Sequence, residues 1–140
     1  MTGAVIALSV KNPVLAVPLS FISHFFLDAI SHYGSEKGQF NFKKSKKFLI
    51  GDFTFALILM LVLAIMFPDQ AWLILVCMIA AAIPDLLWAK YISNIENEDT
   101  TGLDPLNRFH WWLQWKEFPK GIYIELAWFI TMSAIIFILR

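Results

Sequence analysis

Cysteine is almost missing from this chain: Cys77 is the only one. That excludes an intrachain disulfide and a cysteine-based zinc site, and inside its apolar run Cys77 reads as a small hydrophobe in a helix. Charge is scarce as well. Charged residues make up 16% of the chain, against about 25% in soluble domains, and the formal net charge is zero, so overall electrostatics give a nucleic-acid partner no support. No internal repeat and no low-complexity segment is present. A basic leader and a small-residue cleavage pattern are missing ahead of the second apolar segment, which argues against a signal peptide. What fills the chain instead is apolar: 59% hydrophobic residues and a mean hydropathy of +0.65. This composition suits a chain whose solvent is a bilayer, and residues 1–140 make one domain.

The expected architecture is an all-α integral membrane protein of about four transmembrane helices, with a short N-terminal half-helix and an interfacial amphipathic helix. Residues 2–10 are apolar but too few to cross a bilayer, which takes about 20. Lys11-Asn12-Pro13 breaks that half-helix, and a first spanning helix is expected over 13–32, with Pro18 near its first turns where a missing N–H does least harm. A polar connection over 33–47 carries Lys37, Lys43, Lys44, Lys46 and Lys47, and basic residues beside spanning helices favour the cytoplasm. Spanning helices are then expected over 48–67 and 71–92, joined by the tight turn Pro68-Asp69-Gln70, the latter with interfacial Trp72 at one end and Trp88 and Tyr91 at the other. A second connection, within 93–118 and also cytoplasmic, is locally acidic, has Gly102 and Pro105 as breakers, and ends in the aromatic interfacial helix expected over 108–117. A last span covers 119–139. Of eleven Lys and Arg, nine fall on the proposed inner face, all but Lys11 and Arg140.

Three groups able to bind a metal or move a proton lie in the stretch Ser23-His24-Phe25-Phe26-Leu27-Asp28-Ala29-Ile30-Ser31-His32-Tyr33-Gly34. Four-residue spacing places His24, Asp28 and His32 on one face of a helix, and such a stripe is costly in hydrocarbon unless it faces protein or trapped water. Asp52, Asp85, His110, Gln114 and Glu125 fall at the same depth on the other elements. The outer half holds almost no ionisable group. Carboxylates and imidazoles without thiolates suit an open zinc or manganese site better than a closed structural one. His24 and His32 are about 12 Å apart along a helix axis, too far for one ion. Either one ion takes Asp28 with one neighbouring histidine, or two ions about 3.5–4 Å apart share Asp28.

Each group also has a plainer reading. A histidine on an apolar helix face is usually structural, Asp85 after Pro84 can cap a kink, and Asp52 can serve as an N-terminal helix acid. Glu125 can pair with Lys120, while His110 and Gln114 can face headgroups. The coincidence of depth favours a common site.

The first stretch, together with Ala-Ile-Pro-Asp-Leu-Leu-Trp at 82–88 and Phe-His-Trp-Trp-Leu-Gln-Trp at 109–115, resembles the predicted membrane-bound metal-dependent hydrolases, small polytopic proteins of bacteria and archaea. The opening Thr-Gly-Ala-Val-Ile-Ala-Leu and the Lys-Asn-Pro break look similar too. The resemblance implies metal ligands or catalytic groups at His24, Asp28, His32, Asp85 and His110. Leu87 stands where family members often have a second aspartate, and His110-Trp111 with Gln114 replaces a His-Arg followed by His-Ser. No histidine precedes the Thr-Gly segment, so a reduced metal shell is implied.

The expected function is metal-assisted hydrolysis of a lipid-borne ester or phosphoester at the cytoplasmic side. In it His24, Asp28, His32 and Asp85 hold zinc or manganese, His110 is general acid or base beside Asp28, and Asp52, Gln114 and Glu125 orient the imidazoles. Membrane lipids are the expected partners, with the lysines of 43–47 attracting anionic headgroups at roughly 1 kcal/mol each. A homo-oligomer fits this reading and nucleic acid does not. The runner-up is an ion- or proton-coupled transporter. Its polar route through the outer half would have to rest on Ser9, Thr54, Thr131 and Ser133, which counts against it unless an oligomer supplies a pore. A scaffold without chemistry is the third reading.

Overall fold

The computed structural model describes residues 1–30, 33, 41–97, 99–113 and 118–140. Among them the chain is helical, with no strand: α1 Thr2–Val10, α2 Pro13–Asp28, α3 Phe42–Met66, α4 Ala71–Trp88, α5 Ile92–Glu96, α6 Pro105–Leu113 and α7 Ile122–Ile138. Short 3-10 turns, Pro68–Gln70, Ala89–Tyr91 and Pro119–Gly121, link or extend them.

The α1–α2 break is built by the three residues that announced it. Lys11 ends α1 in the left-handed region (φ 56°), Asn12 accepts a hydrogen bond from the Val14 N–H through its side chain, and Pro13 takes the first helical position, where its missing N–H is harmless. The chain thereby turns back on itself, and α1 packs against both α2 and α4. Small residues bring the three helices together: Ala4 and Ala7 of α1, Ala16 and Ser20 of α2, and Cys77 and Ala80 of α4 are all buried. Gly3 is the tightest point. A Cβ there would stand 2.5 Å from the Cys77 carbonyl oxygen, so only glycine allows α1 to lie this close to α4. Leu8, Leu63, Leu73, Ile74, Met78 and Ile136 complete the core. Close backbone approach through small side chains is how apolar helices gain packing contacts where burial from water cannot drive association.

Two helical stretches are long and apolar enough to cross a membrane, Ser45–Met66 and Pro68–Asn94. Of the most apolar window of the first only 6% is buried, so α3 presents an apolar surface around most of its circumference. α2 and α7 are apolar but shorter, at 16 and 17 residues.

Several element ends differ from expectation. α2 stops at Asp28 rather than at 32: the Ala29 N–H bonds the Phe25 carbonyl, and the Ile30 N–H bonds the Leu27 carbonyl three residues back, the tightening typical of a closing turn. α3 begins at Phe42, so the run from Lys43 to Lys47 forms its first turns instead of a loop. Its first N–H, on Phe42, is capped from outside the helix by the Glu96 carboxylate at 2.7 Å. Past Trp88 the chain stays helical through Ala89–Tyr91 and α5 as far as Glu96, beyond the expected end near 92. The aromatic helix starts at Pro105, not at 108, because Asp104 caps it, and it ends at Leu113 among the described residues. It does not merely lie on a surface: Asn107, His110 and Leu113 are buried against the bundle while Phe109 and Trp112 are exposed. α7 starts at Ile122, after a 3-10 turn that takes up Pro119–Gly121.

Candidate metal centre

Three elements bring four side chains to one point. α2 supplies His24 and Asp28 from adjacent turns, α4 supplies Asp85 immediately after Pro84, and α6 supplies His110. The Nε2 atoms of His24 and His110 are 3.1 Å apart. Asp28 Oδ2 lies 3.1 Å from the first and 2.6 Å from the second. Asp85 Oδ1 is 3.5 Å from His24 Nε2 and 3.8 Å from His110 Nε2. Ligand atoms about 2.0–2.1 Å from a tetrahedral zinc ion stand about 3.3 Å from one another, and these five separations bracket that spacing.

Hydrogen bonds alone do not account for the arrangement. Asp28 Oδ2 is buried and has no hydrogen-bond partner of acceptable geometry, despite its closeness to both imidazoles. Two Nε2 atoms facing each other can share one proton at most, and if both rings carry their proton on Nδ1, two lone pairs and a carboxylate converge with nothing between them. A cation at the centre would satisfy all of them. His24, Asp85 and His110 each offer one ligand atom within 4.8 Å of the others, and Asp28 adds a fourth group.

The surroundings hold the histidines in place. His110 is 1% exposed and His24 7%. The His110 ring packs against Trp88 (5.2 Å between centroids), Phe25 (5.8 Å) and His24 itself (4.9 Å). The Ala81 backbone, one turn before Asp85, lies beside the His24 ring. The Asp28 side chain is 13% exposed and that of Asp85 63%, so the cluster is closed behind the imidazoles and open at Asp85.

Of the residues expected at the site, His24, Asp28, Asp85 and His110 come together. His32 and Gln114 lie outside the described residues. Asp52 is exposed; it is close enough to Asp85 for their charges to repel, but among the described residues it has no hydrogen bond or ion pair to either imidazole. Glu125 is turned elsewhere, and its carboxylate accepts the Tyr33 N–H at 2.8 Å. Three neighbours were not anticipated: Phe25 and Trp88 as walls, and Asn107, buried one turn before His110 and held by Asp104. An aspartate followed by proline is a common helix start, and that signal was present at Asp104-Pro105.

Comparison with protein-family models, curated proteins and solved structures finds no match. The candidate centre is defined by its own geometry: two imidazoles and two carboxylates from three helices, at ligand-to-ligand spacing, with one open side.

Proposed function

We propose that this chain is a multi-pass membrane protein that hydrolyses a lipid-borne ester or phosphoester with a divalent metal at the cytoplasmic side. In this reading α2, α3, α4 and α7 cross the bilayer, the two shorter helices being lengthened by the turns at their ends. The lysines at the start of α3 and the connection leading into α6 stay inside. What supports the metal is the convergence of His24 Nε2, His110 Nε2, Asp28 Oδ2 and Asp85 Oδ1. What supports a lipid-like substrate is that Asp85 is exposed on helices that also expose large apolar side chains, Phe26 on α2, Leu86 on α4 and Phe109 on α6.

Zinc or manganese bound there supplies Lewis acidity and lowers the pKa of a water toward about 7. The imidazoles would hold the ion through Nε2, and the two carboxylates would offset its charge. His110 is buried with its Nε2 at the cluster, so proton transfer would fall to Asp85, whose exposed carboxylate keeps a second oxygen, besides Oδ1, that a substrate can reach. Trp88 and Phe25 keep water off the far side of His110, which preserves the low local dielectric that strengthens each charge contact.

The test is metal content by elemental mass spectrometry on detergent-purified protein, wild type beside His24→Ala, followed by metal-dependent turnover of lipid phosphoesters and lipid esters in mixed micelles. Near-stoichiometric metal that is lost in a folded His24→Ala protein, with turnover that follows the metal, is the expected result. Protein that stays empty after reloading with zinc or manganese would sink the hydrolase and move the weight to a proton-coupled role.

A further inference from the structure

Asp104 is the most heavily used carboxylate among the described residues. Its Oδ1 accepts the Asn107 N–H at 3.0 Å, which caps α6, and its Oδ2 accepts from the Asn107 amide (2.8 Å), the Tyr91 hydroxyl (2.9 Å) and the Lys90 ammonium (3.3 Å). Lys90 and Tyr91 belong to the 3-10 turn that continues α4, the helix carrying Asp85. Asn107 is 2% exposed and lies three residues before His110, on the same buried face of α6 as His110 and Leu113. One side chain thus joins the end of the helix that bears one ligand to the start of the helix that bears another. α6 has nine residues, below the roughly 12–15 at which a helix holds in water without tertiary support. Its N-terminal turn needs both the cap and an anchor.

We propose that Asp104 is a positioning residue for the metal centre: by tying α6 to the end of α4 through Tyr91 and Lys90, it sets the His110 imidazole against Asp28 and Asp85. This rests on the metal reading above. Asp104 touches neither metal nor substrate, and its effect passes through the backbone of Asn107 and one helical turn to His110. A ligand held this way loses affinity when the tie is cut although every ligand atom remains.

Zinc affinity of the full-length protein in detergent, measured by competition with a chromophoric chelator, tests this on Asp104→Ser, Tyr91→Phe and His110→Ala. Serine keeps a capping oxygen and removes the tie. Phenylalanine removes one strand of the tie and leaves the cap. The expected result is a roughly 10–100-fold weaker affinity for Asp104→Ser. A smaller loss in the same direction is expected for Tyr91→Phe and the largest for His110→Ala, all at wild-type helical circular dichroism. Wild-type affinity in Asp104→Ser overturns the proposal. Wild-type protein that takes up neither zinc nor manganese overturns the metal reading instead. In that event solid-state NMR with ring-15N histidine still decides the positioning role: loss of the His24–His110 contact in Asp104→Ser supports it, and retention overturns it.

Discussion

Removal of Asp28 separates a metal centre from a set of structural hydrogen bonds. A ligand that binds only the native state, supplied at 100 times its dissociation constant, adds about 2.7 kcal/mol to stability. For a chain of this length each kcal/mol moves the melting temperature by roughly 3–4 °C, so chelator-stripped wild type should rise by about 10 °C when zinc is restored. Four-ligand zinc sites bind with roughly 10–16 kcal/mol in total, or about 3 kcal/mol per ligand. Loss of the Asp28 oxygen, which lies 2.6 Å from one imidazole and 3.1 Å from the other, should therefore weaken binding by about two orders of magnitude. At the same zinc concentration Asp28→Ala then gains only about 0.4 kcal/mol, a shift of about 1–2 °C. The assay is thermal melting in detergent, with chelator and with zinc or manganese added, for both proteins. A purely structural His-Asp-His contact predicts the reverse pattern: a lower melting temperature for the variant in chelator and no response of either protein to metal. Equal rises in wild type and Asp28→Ala, or none in either, would refute the reasoning.

Gly3→Val should destabilise the bundle by about 1–3 kcal/mol, read by thermal melting, because the new side chain meets the backbone carbonyl of Cys77, which cannot rotate away. The carboxyl of Asp104 is held below the ordinary carboxylate range, first by the Asn107 backbone N–H and then by the Asn107 amide, Tyr91 and Lys90. The fold thus favours its charged form, and the stabilisation is full above the unfolded value of about 4 and is lost as pH falls below it. Acid titration below about pH 4 should release α6, seen as a change in emission of Trp88, Trp111 and Trp112, and Asp104→Asn should remove that transition. Trp128→Phe deletes the bond from the indole N–H to the Thr2 hydroxyl (3.0 Å) that joins α7 to α1, at a cost of about 0.5–1.5 kcal/mol by the same melting assay. Asp52→Asn should change zinc affinity less than about threefold at physiological salt, since an exposed carboxylate acting on Asp85 without contact is largely screened.

Local chemistry was legible wherever one stretch of chain decides the outcome. Thr2–Val10 is a helix with the expected bounds, and Lys11, Asn12 and Pro13 end it and start the next, because a left-handed cap, an Asx cap and a first-turn proline need no partner from elsewhere. Boundaries that depend on a distant group were not legible. Phe42 starts α3 under a carboxylate 54 positions away, so the lysine run that resembles a polar loop is held helical by Glu96. α2 ends as its last residue, Asp28, enters a contact with His110.

Depth along an assumed bilayer normal is one coordinate of three, and as a guide from the sequence it served unevenly. The four residues His24, Asp28, Asp85 and His110 do come together, since α2, α4 and α6 pack against one another. Asp52 and Glu125 share the level and also face inward by helical spacing. Asp52 lies on the stripe of Leu59, Leu63 and Met66, and Glu125 on that of Met132 and Ile136. Those stripes are buried only further along. The Leu63 end of α3 and the Ile136 end of α7 meet the core, whereas the ends bearing the two carboxylates are exposed, and Glu125 there finds the Tyr33 backbone instead of an imidazole. Spacing within a helix fixes the direction in which a residue points. The distance to the next helix is set by the small residues between them: Gly3, Ala4 and Cys77 draw α1 onto α4, and among the described residues no comparable set draws α3 or α7 inward at the level of the histidines. A centre of two imidazoles and two carboxylates, open beside Asp85, is what that unequal packing leaves.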